Sequence, residues 1–111
     1  MNSKSRISLS PSKAAASELD RRIEPREAAE GRATLVVLDG GWKLEGDLID
    51  TSASGFRLMH RHGGLCTGSE VSFQYDDVTS GEHRQGRAKV CWNRISSGSV
   101  ESGFLITSAR F

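Results

Sequence analysis

From Arg32 onward the apolar residues recur at every second position in short runs, and Gly-, Ser- or Asp-rich turns separate the runs. An i, i+2 rhythm fits a strand with one buried face and cannot be laid on a helix, whose apolar stripe repeats every three or four residues. Arg32 to Leu38 (RATLVVL) is apolar and rich in β-branched residues, and Asp39-Gly40-Gly41 is a turn signal. Trp42 to Asp50 (WKLEGDLID) then alternates, with Trp42, Leu44 and Leu48 on one face and Lys43, Glu45 and Asp47 on the other. These two runs read as a hairpin. Phe56 and Leu58 face inward in the next run, flanked by Arg57 and Arg61, and Gly63-Gly64 ends it. Val71, Phe73 and Tyr75 mark a fourth strand and Ala88, Val90 and Trp92 a fifth. Phe104 and Ile106 sit in a sixth, after the turn Ser96-Ser97-Gly98-Ser99.

Six short strands and no interior helix predict an all-β chain folded as a six-stranded antiparallel β-barrel, since closure removes unpaired edges. At 111 residues there is material for one core. The expected organisation is a flexible N-terminal tail over residues 1–20, with helix propensity for a short helix at 13–20, and a barrel domain over 21–111. An arm at 21–31 opens that domain, and Pro25 disfavours a helix running through Arg26.

Charge narrows the function classes. Fifteen Lys and Arg against fourteen Asp and Glu leave a formal +1, so there is no bulk basic field for a nucleic acid polymer, and any anion site must be local. No apolar run approaches the ~20 residues that span a bilayer, and Lys4 and Arg6 precede no apolar segment of a secretory signal. Two cysteines, Cys66 and Cys91, are too few for a disulfide scaffold; the expectation is a cytoplasmic protein with no membrane partner. His60-x-His62, His83 and Cys66 lack the spacing of a metal site, so neither metal nor cofactor is expected. No serine stands in a nucleophile-elbow context and no phosphate loop or dinucleotide fingerprint occurs, so no catalytic residue is assigned and the chain is not read as an enzyme. Trp42 and Trp92 fall on core-facing positions, which favours packing over stacking on bases.

Two clusters remain. Arg21, Arg22 and Arg26 surround Pro25, and a guanidinium matches a phosphate or the O6/N7 edge of guanine in paired hydrogen bonds. Asp50-Thr51-Ser52-Ala53-Ser54-Gly55 ends the second strand. Asp50 can accept from guanine N–H groups or orient an arginine, Ser52 can donate to a phosphate, and Gly55 permits a positive φ or close approach of another backbone. Each cluster alone also reads as an ordinary surface ion-pair group or a structural turn.

Together, Arg22-x-x-x-Arg26 followed by Asp50-x-Ser52-x-x-Gly55 resembles the signature of the PilZ domain, the bacterial receptor module for cyclic di-GMP. Val90-Cys91-Trp92 and Gly103-Phe104-Leu105-Ile106 extend the resemblance over about residues 21 to 107. The resemblance implies a barrel whose arginine arm folds over cyclic di-GMP and presents a new surface to an effector protein. Arg22 and Arg26 would clamp phosphate and guanine, Asp50 and Ser52 would read guanine edge and phosphate, and Gly55 would allow the close contact. Arg21 stands where the family tunes binding of one ligand molecule or a stacked pair, and the pair is the expectation. Two other readings stay open: a nucleotide-independent protein-interaction module of pilus or flagellar machinery, and a single-stranded RNA binder, which the near-neutral charge disfavours.

Overall fold

The computed structural model describes residues 24–110. The tail over 1–20, the helix at 13–20, and Arg21 and Arg22 lie outside the described residues. Seven strands follow one another: β1 Glu27–Ala28, β2 Arg32–Val37, β3 Lys43–Thr51, β4 Gly55–His60, β5 Glu70–Asp77, β6 Glu82–Ser96 and β7 Ser99–Arg110. Every pairing is antiparallel. The sheet runs β1-β3-β2-β5-β6-β7-β4, and β4 returns to pair with β3. Six strands thus close into the barrel read from the sequence, and β1 is one extra strand, a two-residue addition from the arm to the end of β3.

Alternation places the core as expected. Leu35, Leu44, Leu48, Phe56, Leu58, Val71, Phe73, Tyr75, Val90 and Phe104 are all buried. Phe56 is their centre: its ring lies 4.8 Å from Phe73, 5.3 Å from Tyr75 and 4.8 Å from Phe104. Burial of such a side chain is worth about 2–3 kcal/mol, and it ties the closing strand β4 to the opposite wall. The tight turns also fall where expected. β6 and β7 are joined through Ser97 and Gly98, both with positive φ, as a two-residue hairpin turn requires.

Trp92 corrects the sequence reading. It is 36% exposed, on the outer face of the barrel. The register explains this: Val90 pairs with Phe104 but Trp92 with Gly103, so Cys91 is an extra residue in β6. A bulge reverses the side-chain alternation beyond it, and Trp92 turns out instead of in. The same device operates in β3. Leu48 pairs with Leu58 but Asp50 with Arg57, which makes Ile49 the extra residue. Strict alternation would have set Asp50 in line with Leu44 and Leu48 in the core; the bulge sets it opposite the outward-facing Arg57.

Candidate functional site

Both bulges deliver their side chains to one row on the outer face. Arg57 in β4 is opposite Asp50 on one side and Gly103 on the other, and Gly103 is in turn opposite Trp92. Gly103 is required there. A Cβ at this position would meet the Trp92 indole at 2.3 Å, so only glycine lets the ring lie against the β7 backbone.

The arm joins this row through Arg26. Its Nη1 donates to Asp50 Oδ1 at 2.8 Å, so the two motifs, 24 residues apart, meet directly. Arg57 Nε donates to Asp50 Oδ2 at 2.8 Å, and Nη2 bonds the same oxygen. Arg57 Nη1 reaches Glu101 Oε2 at 2.7 Å, and Arg94 Nη2 reaches Glu101 Oε1 at 2.8 Å. Arg94 finally stands 5.9 Å from the Trp92 ring. Cations and anions alternate along the whole series, Arg26, Asp50, Arg57, Glu101, Arg94. The hydrogen bonds Arg57 donates to Asp50, then the charges of Asp50 and Glu101, raise its pKa above the ordinary value against the effect of burial. Asp50 is 7% exposed, and three N–H groups already engage its two oxygens. Of the two roles open to it in the sequence, orienting an arginine is the one this geometry performs.

The turn after β3 is fixed from beneath. Ser52 N donates to Gly55 O at 2.9 Å. Arg84, buried in β6, donates to the carbonyls of Ser52 (2.9 Å) and Ala53 (2.7 Å) and to the Tyr75 hydroxyl (3.0 Å). Gly55 serves close approach, since a Cβ there would stand 2.3 Å from the Phe104 carbonyl oxygen. With its backbone pinned, the turn presents its hydroxyls to the arm. Ser54 Oγ donates to Glu24 Oε1 at 2.6 Å.

These groups surround a cavity of about 440 Å³, lined among others by Arg26, Glu24, Ser54, Gly55, Trp92 and Leu105. It offers a guanidinium, a hydroxyl and an indole face at a glycine-floored wall. Ser52 does not line it; it borders a separate hollow with Pro25, Glu27 and Arg84. A larger cavity, about 630 Å³, lies where β3 and β4 part company, between Lys43–Asp47 and Met59–His62. Of the charges on its rim, Arg32 is bonded to Asp47 and Glu45, and Lys43 and Arg61 line it as well. The smaller cavity sets a guanidinium, a hydroxyl, a carboxylate and an indole around one space.

The histidines are engaged otherwise. Asn93 Nδ2 donates to Leu65 O, so its Oδ1 accepts the Ser102 hydroxyl; Ser102 Oγ then accepts from His60 Nε2–H at 2.7 Å. That leaves His60 Nδ1 to accept the His62 backbone N–H at 3.0 Å. His60 is thereby held as one neutral tautomer, and burial, followed by the neighbouring His62, lowers its pKa. His83 instead bonds Asp76, which raises its pKa. No group of three or more His, Cys, Asp or Glu side chains able to hold a metal occurs among the described residues, and none of their helices is long and apolar enough to cross a membrane.

Sequence reasoning found Arg26, Asp50 and Gly55 at this place, with Ser52 behind it, while Arg21 and Arg22 lie outside the described residues. It missed Glu24, Ser54, Arg57, Arg84, Glu101 and the outward face of Trp92. Compared with protein-family models and with curated proteins, the chain matches none.

Proposed function

We propose that this chain is a single-domain receptor of the PilZ kind, which binds cyclic di-GMP between its arginine arm and the β3–β4 turn and signals to an effector protein. The observation that carries the reading is the Arg26–Asp50 contact at the edge of a cavity walled by Trp92. Arg26 is half exposed and oriented by Asp50, so its remaining N–H groups are available at low entropic cost for a phosphate or a guanine edge. The indole of Trp92 offers a flat surface for a purine, and stacking of a base on an aromatic ring is worth about 1–3 kcal/mol. Several such contacts reach the roughly −8 kcal/mol of a micromolar complex. Ordering a cyclic dinucleotide against a pinned turn and a short β1 strand is chemistry of recognition; no step of covalent catalysis is assigned to the site.

Titration calorimetry with pure cyclic di-GMP tests this. Arg26→Ala is expected to weaken binding at least tenfold with an unchanged fold, and Trp92→Ala to weaken it comparably. Absence of heat with the wild-type chain at high ligand concentration would remove the reading. Met59 and Ile95, exposed around one hollow beyond Glu101, are apolar and suit contact with a partner protein. They favour the second reading, a pilus or flagellar interaction module, which predicts a partner whose binding ignores the nucleotide.

A further inference from the structure

The Ser54 hydroxyl, a donor facing the candidate pocket, is occupied by a carboxylate from the chain itself. Glu24 Oε1 accepts the Ser54 hydroxyl at 2.6 Å, and Glu24 lines the same cavity as Arg26, Ser54 and Trp92. The donors hold it as an anion. Its pKa lies below the ordinary carboxylate value, chiefly through the Ser54 hydroxyl, which outweighs the opposing effect of burial, with lesser help from the neighbouring turn donors and the Arg26 charge. A carboxylate and a phosphate ask for the same partners: hydroxyl and amide donors with a guanidinium alongside. The row from Arg26 to Arg94 holds three guanidiniums against two carboxylates, so Glu24 supplies the anion that balances it.

We infer that Glu24 is an internal competitor, an anion stand-in that occupies the Ser54 hydroxyl beside Arg26 and must leave before a ligand phosphate can enter. The inference rests on the nucleotide reading for the identity of the displacing ligand, and on Ser54 and Arg26 alone for the cradle. Glu24 directly precedes Pro25 and stands two residues before Arg26, so its departure alters the entry of the arm to β1. The resident carboxylate thus sets both affinity and the conformational change that binding triggers. An occupied site lowers apparent affinity by the fraction of time it is free, so a cradle filled about nine-tenths of the time gains about tenfold when the competitor is removed.

The experiment compares wild type, Glu24→Ala and Glu24→Gln by calorimetry and amide NMR, with cyclic di-GMP and inorganic pyrophosphate as probes. The Gln variant keeps length and an acceptor but loses the charge. The expected result is about tenfold tighter cyclic di-GMP binding by Glu24→Ala and an intermediate gain for Glu24→Gln, with signals of Ser52 to Ser54 moving on addition. Unchanged or weaker binding by Glu24→Ala, where wild type binds the nucleotide, overturns the inference: Glu24 is then a strut for the arm, and the receptor reading survives. Pyrophosphate binding that strengthens on Glu24→Ala without any nucleotide binding keeps the competitor and removes the receptor. Failure of both anions to bind any of the three proteins overturns the inference as well.

Discussion

Replacing Asp50 by Asn keeps the shape of the side chain and removes its charge. In the folded chain that carboxylate accepts Arg26 Nη1 at 2.8 Å and Arg57 Nε at 2.8 Å, with Arg57 Nη2 on the same oxygen. Removing one partner of a buried ion pair costs about 3–5 kcal/mol when the other charge is stranded. Arg57 is not stranded, because Glu101 still holds its Nη1 and its side chain is 29% exposed. Arg26 is 46% exposed, and pairs so open to water contribute about 0.5 kcal/mol. The sum points to a loss of about 2 kcal/mol, most of it at Arg57.

Urea denaturation of single and double variants reads this out. With a slope of about 1–2 kcal/mol per molar urea, Asp50→Asn lowers the midpoint by about 1–2 M. A double-mutant cycle with Arg57→Met is expected to return a coupling of about 1.5 kcal/mol, and one with Arg26→Met about 0.5 kcal/mol. The asymmetry is the point. It says that Asp50 is anchored by β4 and in turn aims the arm, so on the receptor reading Asp50→Asn is expected to weaken cyclic di-GMP binding through Arg26 without the carboxylate touching the ligand. Equal couplings, or a larger one to Arg26, would refute the anchoring order.

Acid is expected to act on two histidines with opposite signs. The folded pKa of His60 is lowered below the 6.5 of an unperturbed histidine, so its contribution is complete above pH 6.5 and is lost as pH falls from there through the folded value. His83, raised by Asp76, contributes below pH 6.5 and loses that contribution as pH rises through its folded value. Stability measured from pH 5 to 8 in His60→Gln and His83→Gln separates the two slopes; matching slopes would contradict the bonding described. Gly103→Ala is expected to displace the Trp92 indole and cost about 1–3 kcal/mol, seen as a shifted indole N–H signal, with the Trp42 signal unmoved. An unshifted Trp92 signal would mean the ring does not lie on Gly103.

Strand identity and barrel closure were readable because they follow from period-2 alternation and turn chemistry, which are local. Leu35, Leu58, Phe73 and Phe104 each sit in a run whose polar partners point the other way, and the core they form follows directly. The candidate site was legible through residue types, since Arg26, Asp50 and Gly55 carry chemistry that strand formation alone does not ask for, and the fold brings Arg26 onto Asp50. What could not be read was the facing of Asp50 and Trp92. Each lies just past a bulge, at Ile49 and at Cys91, and neither residue announces an extra place in the ladder. Arg84 and Glu101 were missed for another reason. The carbonyls that Arg84 holds are 31 and 32 residues away and the Arg57 that Glu101 holds is 44 away, and charged residues on alternating strands look alike until the register is known.

The two bulges have a joint consequence. Without them Asp50 and Trp92 would be directed at the core, where an unpaired carboxylate is costly and a Trp would crowd Phe56. With them, the barrel keeps the aromatic cluster around Phe56 and gains, on the strands flanking the β4–β7 pair, a carboxylate on one side and an indole on the other, with Arg57 and Gly103 between. Arg57 bridges the gap with bonds to both Asp50 and Glu101, so a continuous run of ion pairs leads from Arg26 to Arg94, beside Trp92. On the receptor reading, a ligand that takes the remaining N–H groups of Arg26 adds its charge to the end of this run. That linkage, rather than any single contact, is what would let occupancy of a surface pocket be read by a partner on the outer wall of an otherwise rigid barrel.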